Sequence, residues 1–65
     1  MVVKIIELVG SSPNSWEDAT KEAVAKAHES LKDIHGVDVV GHTAVVKDGK
    51  ITAYRANVKI GFVVE

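Results

Sequence analysis

The sequence has no cysteine, one proline, and only three aromatic residues: one tryptophan, one tyrosine and one phenylalanine. The lack of cysteine excludes a disulfide staple and thiolate chemistry. No apolar run approaches the roughly 20 residues of a membrane span. The apolar start, Met1 to Ile6, is broken by Lys4 and followed by Glu7, and is too short for a signal peptide. Runs of one charge sign are absent too. Acids and bases are interspersed and the net charge is −1, which argues against nucleic acid, whose binding needs a clustered positive surface. There is no Gly-x-Ser-x-Gly and no Gly-Lys-Ser/Thr, so Ser11 and Ser12 beside Gly10 read as turn and capping residues rather than as a nucleophile or a phosphate loop. The expectation is a soluble cytoplasmic protein that is not an enzyme and binds neither nucleic acid nor membrane.

What remains is a chain of 65 residues, a single domain spanning positions 1–65 with no repeats and no linker. A domain of this size buries only about 60% of its unfolded surface and is marginally stable alone. Without cysteine, a metal or oligomerisation is the usual remedy. At 46% hydrophobic residues the chain carries more β-branched surface than one helix can cover, which points to a subunit interface.

The organising stretch is Ser15 to Ile34. Trp16, Ala19, Ala23, Val24, Ala27, Leu31 and Ile34 recur at the three- and four-residue steps of one helical face, with Thr20 at its edge. The alanines in the middle let the backbone lie close to a flat surface such as a sheet. Gly10 to Asn14 reads as a turn, Ser15 as the N-cap, and Glu17 with Asp18 as first-turn acids that suit the macrodipole. Gly36 is expected to supply the left-handed residue that closes the helix. Glu17 with Lys21 and Glu22 with Lys26 are spaced to pair on the exposed side.

Val2 to Val9 reads as the first strand and Val37 to Lys47 as the second, with Gly41 marking a bulge or a close backbone approach. Asp48-Gly49 is a hairpin signal because both residues tolerate the positive φ of a type I′ turn. The third strand runs from Ile51 to about Val64. Its alternation places Ala56, Val58, Ile60, Phe62 and Val64 toward the helix and Arg55, Asn57 and Lys59 outward. The second strand has valines on both faces, so both are expected to be at least partly covered. The fold class is therefore α+β, a β-α-β-β chain whose curved three-stranded antiparallel sheet, in order 1-3-2, wraps one amphipathic helix.

Candidate chemistry is sparse. His28, His35 and His42 recur every seven residues without a carboxylate-rich ligand motif beside them, and Asp38, Asp48 and Glu65 do not form a calcium loop. Trp16, on the apolar stripe, is expected to pack in the core. Tyr54 shares the parity of the core face but sits near where the second and third strands can open to a pocket. Arg55 beside it is either a solvated interface charge or a donor to a carbonyl, phosphate or planar heterocycle bound between subunits.

These residues resemble the dodecins, small flavin-binding β-α-β-β proteins in which twelve copies form a hollow cage. The similarity runs through Val-Lys-Ile-Ile-Glu-Leu-Val-Gly-Ser-Ser at 3 to 12, the helix, Tyr54-Arg55, and Val58-Lys59-Ile60-Gly61-Phe62. It implies a homododecamer that binds or stores a small ligand between subunits, flavin (FMN or riboflavin) being the family ligand. The implied ligand site comprises His35, Gly36, Tyr54 and Arg55. Flavin-binding members carry a tryptophan at the position of Gly36, against which the ring stacks, and a glutamine at that of Arg55. Losing the stacking platform removes roughly 1–3 kcal/mol per ring face, and His35 compensates only in part. Ser12-Pro13-Asn14-Ser15-Trp16 and Tyr54-Arg55 resemble a tryptophan-less, calcium-binding branch of the same family, so the alternative is a calcium-binding or purely structural cage. The resemblance gives no metal ligands.

Overall fold

The computed structural model describes residues 1–64; Glu65 lies outside the described residues. It is built on a helix α1, Trp16–His28, started by Ser15 in an extended conformation. The Ser15 hydroxyl accepts from the Asp18 backbone N–H at 3.0 Å, satisfying one of the donors that the first turn leaves orphaned. Ala19, Ala23 and Ala27 form the buried stripe. Glu17 pairs with Lys21 at 3.3 Å as the spacing anticipates, whereas Lys26 reaches forward to Glu29 at 3.4 Å instead of back to Glu22.

The helix is shorter than its apolar period suggests. It stops at His28 with Glu29 as C-cap, and Ser30 and Leu31 donate back to the Ala27 carbonyl at 3.2 and 2.9 Å. The chain reverses at Asp33, whose φ of 58° is the left-handed conformation that short polar side chains tolerate. Gly36 therefore does not close the helix; it lies inside the next strand. Leu31 and Ile34 still pack on the core, but from beyond the helix end.

The strands are β1, Val2–Ser12, β2, Ile34–Lys47, and β3, Lys50–Val64. They form one antiparallel sheet in order β1-β3-β2. Asp48 (φ 52°) and Gly49 (φ 75°) make the tight β2–β3 hairpin. β1 continues past Val9 because Gly10, Ser11 and Ser12 pair with Ala56, Arg55 and Tyr54. Its last residue is locked to the helix start: the buried Ser12 hydroxyl donates to Asp18 Oδ2 at 2.7 Å and accepts from the Asn14 N–H at 3.0 Å. The register shifts between Val39 and Gly41, so Gly41 marks a bulge. A Cβ there would make only an ordinary 3.7 Å contact with Asn57.

The core joins Ala19, Ala23 and Ala27 to Ala56, Val58 and Ile60. Lengths decide what stays uncovered. Thirteen helical residues span about 20 Å, while the 15 residues of β3 span about 50 Å, matching the 48 Å long axis of the chain. The apolar row of β3 thus runs off the end of the helix: Phe62 is half-buried and Val64 exposed. β2 has no fully buried residue within the single chain, so the chain's own helix does not supply the covering expected of its two faces. Val40 is 59% exposed and Val46 61%. Among the described residues no helix is long and apolar enough to cross a membrane.

Trp16 also departs from expectation. It is 39% exposed, because it sits at the first helical turn over the outer strand. Its ring meets Tyr54 and His42 edge-on, with centroids 4.8 and 5.7 Å away. Its indole N–H donates to the Thr43 carbonyl at 2.8 Å, so the largest side chain clamps helix to β2 instead of filling the core.

The tightest contact is at Gly10. A Cβ there would overlap the Ala19 carbonyl oxygen and stand 2.9 Å from Ala23 Cβ. Gly10→Ala is expected to force the helix off the sheet and cost about 1–3 kcal/mol, measured as a lowered midpoint in chemical denaturation.

Candidate functional site

The register sets Gly36 of β2 opposite Gly61 of β3, which in turn pairs with Ile5 of β1. Two glycines side by side leave a stretch of sheet without side chains. Val3 and Ile5 lean over the Gly61 position, their methyl carbons 3.3 Å from where its Cβ would be, while nothing lies within 4 Å of a Cβ at Gly36. The result is an open, mainly apolar hollow of about 390 Å³, with Val3 and Ile5 on one side, His35 and Gly36 on the other, and Asp38 and Lys59 at its rim.

The rim is a row of charge across the sheet. Lys59 pairs in register with Glu7 on one side and Asp38 on the other, and cross-strand partners project from the same face with Cβ atoms about 5 Å apart. Among the described residues the ion pairs within 4 Å are Glu17–Lys21 and Lys26–Glu29. All three residues of the row are exposed.

Of the four residues expected to bind ligand, the chain brings His35 and Gly36 together in this hollow. Tyr54 and Arg55 lie farther along β3, opposite Ala44 and Thr43. Tyr54 is half-buried against Trp16, and Arg55 is exposed on the outer side of the sheet. The three histidines are separated in role: His28 ends α1, His42 abuts Trp16, and His35 lines the hollow. Among the described residues, no three His, Asp or Glu side chains gather to hold a metal within one chain. Asp38, Lys59, Val3 and Ile5 were not candidates from sequence. Outward parity was readable for Lys59, but the alignment of the row and of the two glycines depends on strand register.

A family model described as Dodecin matches residues 2–65. The chain belongs to the dodecin family. Its relatives include the calcium dodecin of Mycobacterium tuberculosis, 44% identical over an alignment of 62 positions that covers 94% of this chain and 86% of that protein. The crystal structure of that calcium-chelating calcium dodecin, described as having a novel calcium-binding site, superimposes with a TM-score of 0.88 at 38% identity, covering 100% of this chain and 93% of the other. The dodecin from Streptomyces coelicolor superimposes with a TM-score of 0.95 at 26% identity, covering 98% and 91% of the two chains. The β-α-β-β architecture and its strand order are thus those of a dodecin.

The dodecin fold leaves room at Gly36 for a large side chain. Gly36→Trp is expected to change stability by no more than about 0.5 kcal/mol, as for a surface substitution away from packed contacts, read from the thermal midpoint against the wild type.

Proposed function

We propose that this dodecin is a non-enzymatic, self-assembling holder of a small ligand, with the ligand bound between copies, twelve of which enclose a cage. The observation that carries this reading is the open hollow at Gly36, whose one side is left to solvent in a single chain. The bare valines of β2 support assembly, since a chain of this size gains stability by covering them. His35 and Gly36 hold one part of the ligand site. Tyr54 and Arg55, displaced along β3, would reach a ligand from a neighbouring copy. The apolar hollow suits the face of a planar heterocycle such as flavin; the missing tryptophan at position 36 and Arg55 in place of the family glutamine weaken the pocket.

A second reading, a cation-binding cage, is favoured by the 44% identity to a calcium dodecin. With no three-ligand cluster among the described residues of one chain, a calcium site would be assembled from residues of more than one copy, as hard oxygen-ligand shells permit.

Native mass spectrometry of the purified protein tests both readings. A twelvefold mass with flavin-sized increments supports ligand holding, and calcium-sized increments support the second reading. A monomer or dimer overturns the cage. Calcium is expected, on the second reading, to raise the thermal midpoint in a manner reversed by chelator. Gly36→Trp combined with Arg55→Gln is expected to gain tight, fluorescence-quenching flavin binding; no gain would place the loss of the pocket elsewhere.

A further inference from the structure

We propose that the outer face of the sheet carries an oxyanion site centred on Arg55, which takes inorganic phosphate with Ser11, Thr43 and Asn57 as further donors. The register sets Ser11 of β1 on one side of Arg55 and Thr43 of β2 on the other, and cross-strand partners share a face with Cβ atoms about 5 Å apart. Asn57 follows two residues along β3 on the same face, beside the bare backbone of Gly41. All four project away from the helix, since Ala56 between Arg55 and Asn57 is buried in the core. Each can donate: a planar guanidinium, two hydroxyls and a carboxamide. Among the described residues their side chains have no hydrogen-bond partner within the chain, and Arg55 makes no ion pair within 4 Å. The rows next to Arg55 hold Val9, Asn57 and Gly41 on one side and Ala53 with Val45 on the other, so no carboxylate stands beside the guanidinium. Glu7 and Asp38 belong to the row of Lys59, about 13 Å farther along the strand. A guanidinium fork engages two oxygens of an oxyanion. A tetrahedral group keeps further oxygens for the hydroxyls and the amide, which a planar carboxylate lacks. This goes beyond the ligand-holding reading, because all four donors belong to one chain and Gly61 of the hollow lies about 20 Å from Arg55 along β3.

Inorganic phosphate titrated into the wild-type protein, with chloride holding the ionic strength constant, is followed by phosphorus NMR line width and by the thermal midpoint. Saturable broadening and a raised midpoint are expected, and chloride alone should produce neither. Arg55→Gln, at an exposed position, should weaken binding about tenfold or more, and Ser11→Ala and Thr43→Ala about fivefold each, as for the loss of one hydrogen bond. Arg55→Lys, which keeps the charge and loses the fork, should fall between wild type and Arg55→Gln. Lys47→Gln, which removes an equal charge from the end of β2, should leave binding unchanged. Absence of saturable binding by the wild type overturns the site. Binding that Arg55→Lys retains in full, or that Lys47→Gln weakens as much as Arg55→Gln does, is general charge attraction and overturns the four-donor assignment. Flavin titration of the same wild-type sample reports on the hollow alone, so the two readings fail separately.

Discussion

The structure depends on one close approach, that of the alanine stripe of α1 to Gly10 of β1. Ala19, Ala23 and Ala27 present almost no side chain, and Gly10 presents none, so the helix backbone comes near enough that a single added methyl would overlap the Ala19 carbonyl. Larger residues would hold helix and sheet apart, as in the roughly 10 Å separations usual between packed layers. The close seam draws Ala56, Val58 and Ile60 of the central strand into the core and brings Ser12 within hydrogen-bonding range of Asp18. A small domain thereby buries the inward Ala56, Val58 and Ile60 of its central strand with very little volume.

The same economy leaves much of the sheet bare. A helix of 13 residues cannot cover strands of 14 and 15, because a strand advances about twice as far per residue as a helix. What the helix does not reach is chiefly β2 and the far end of β3, where valines stand exposed on both faces. The Trp16 indole holds β2 to the helix at Thr43, but it is a point contact near the helix start and covers little area. Apolar sheet of this extent is the physical ground for assembly, and the hollow at Gly36 lies on it. Ligand holding and self-association are in this sense one proposal about one surface.

Local chemistry was largely legible before the fold was known. The Ser15 cap, the Asp48-Gly49 hairpin, the Glu17–Lys21 pair and the inward Ala56, Val58 and Ile60 of β3 each depend on residues a few positions apart, and each is found where the spacing puts it. Features that misled were those in which two structures share one pattern. Leu31 and Ile34 keep the helical period, yet they reach the core from a reversed segment after Asp33, and period alone cannot tell a continuing helix from a chain folding back at the right distance. Gly10-Ser11-Ser12 has the composition of a turn, but pairing with Ala56, Arg55 and Tyr54 keeps it in the sheet. Trp16 lies on the apolar stripe, but its place at the first turn brings it to the outer strand rather than the core. Of the candidate site, His35 and Gly36 were identifiable from resemblance to the family, while the neighbours that give the hollow its apolar side and charged rim were not.

The amino-acid sequence by itself determined the element types, the helix start, the hairpin, the strand order and membership of the dodecin family, because these rest on periodicity, capping and turn chemistry within short spans and on a similarity that runs the length of the chain. Only the tertiary structure decided where the helix ends, which strand stays bare, and that Gly36 stands beside Gly61 and Lys59 between Glu7 and Asp38. Those relations follow from strand register. Register joins residues tens of positions apart, and a slip of one would turn every side chain to the opposite face.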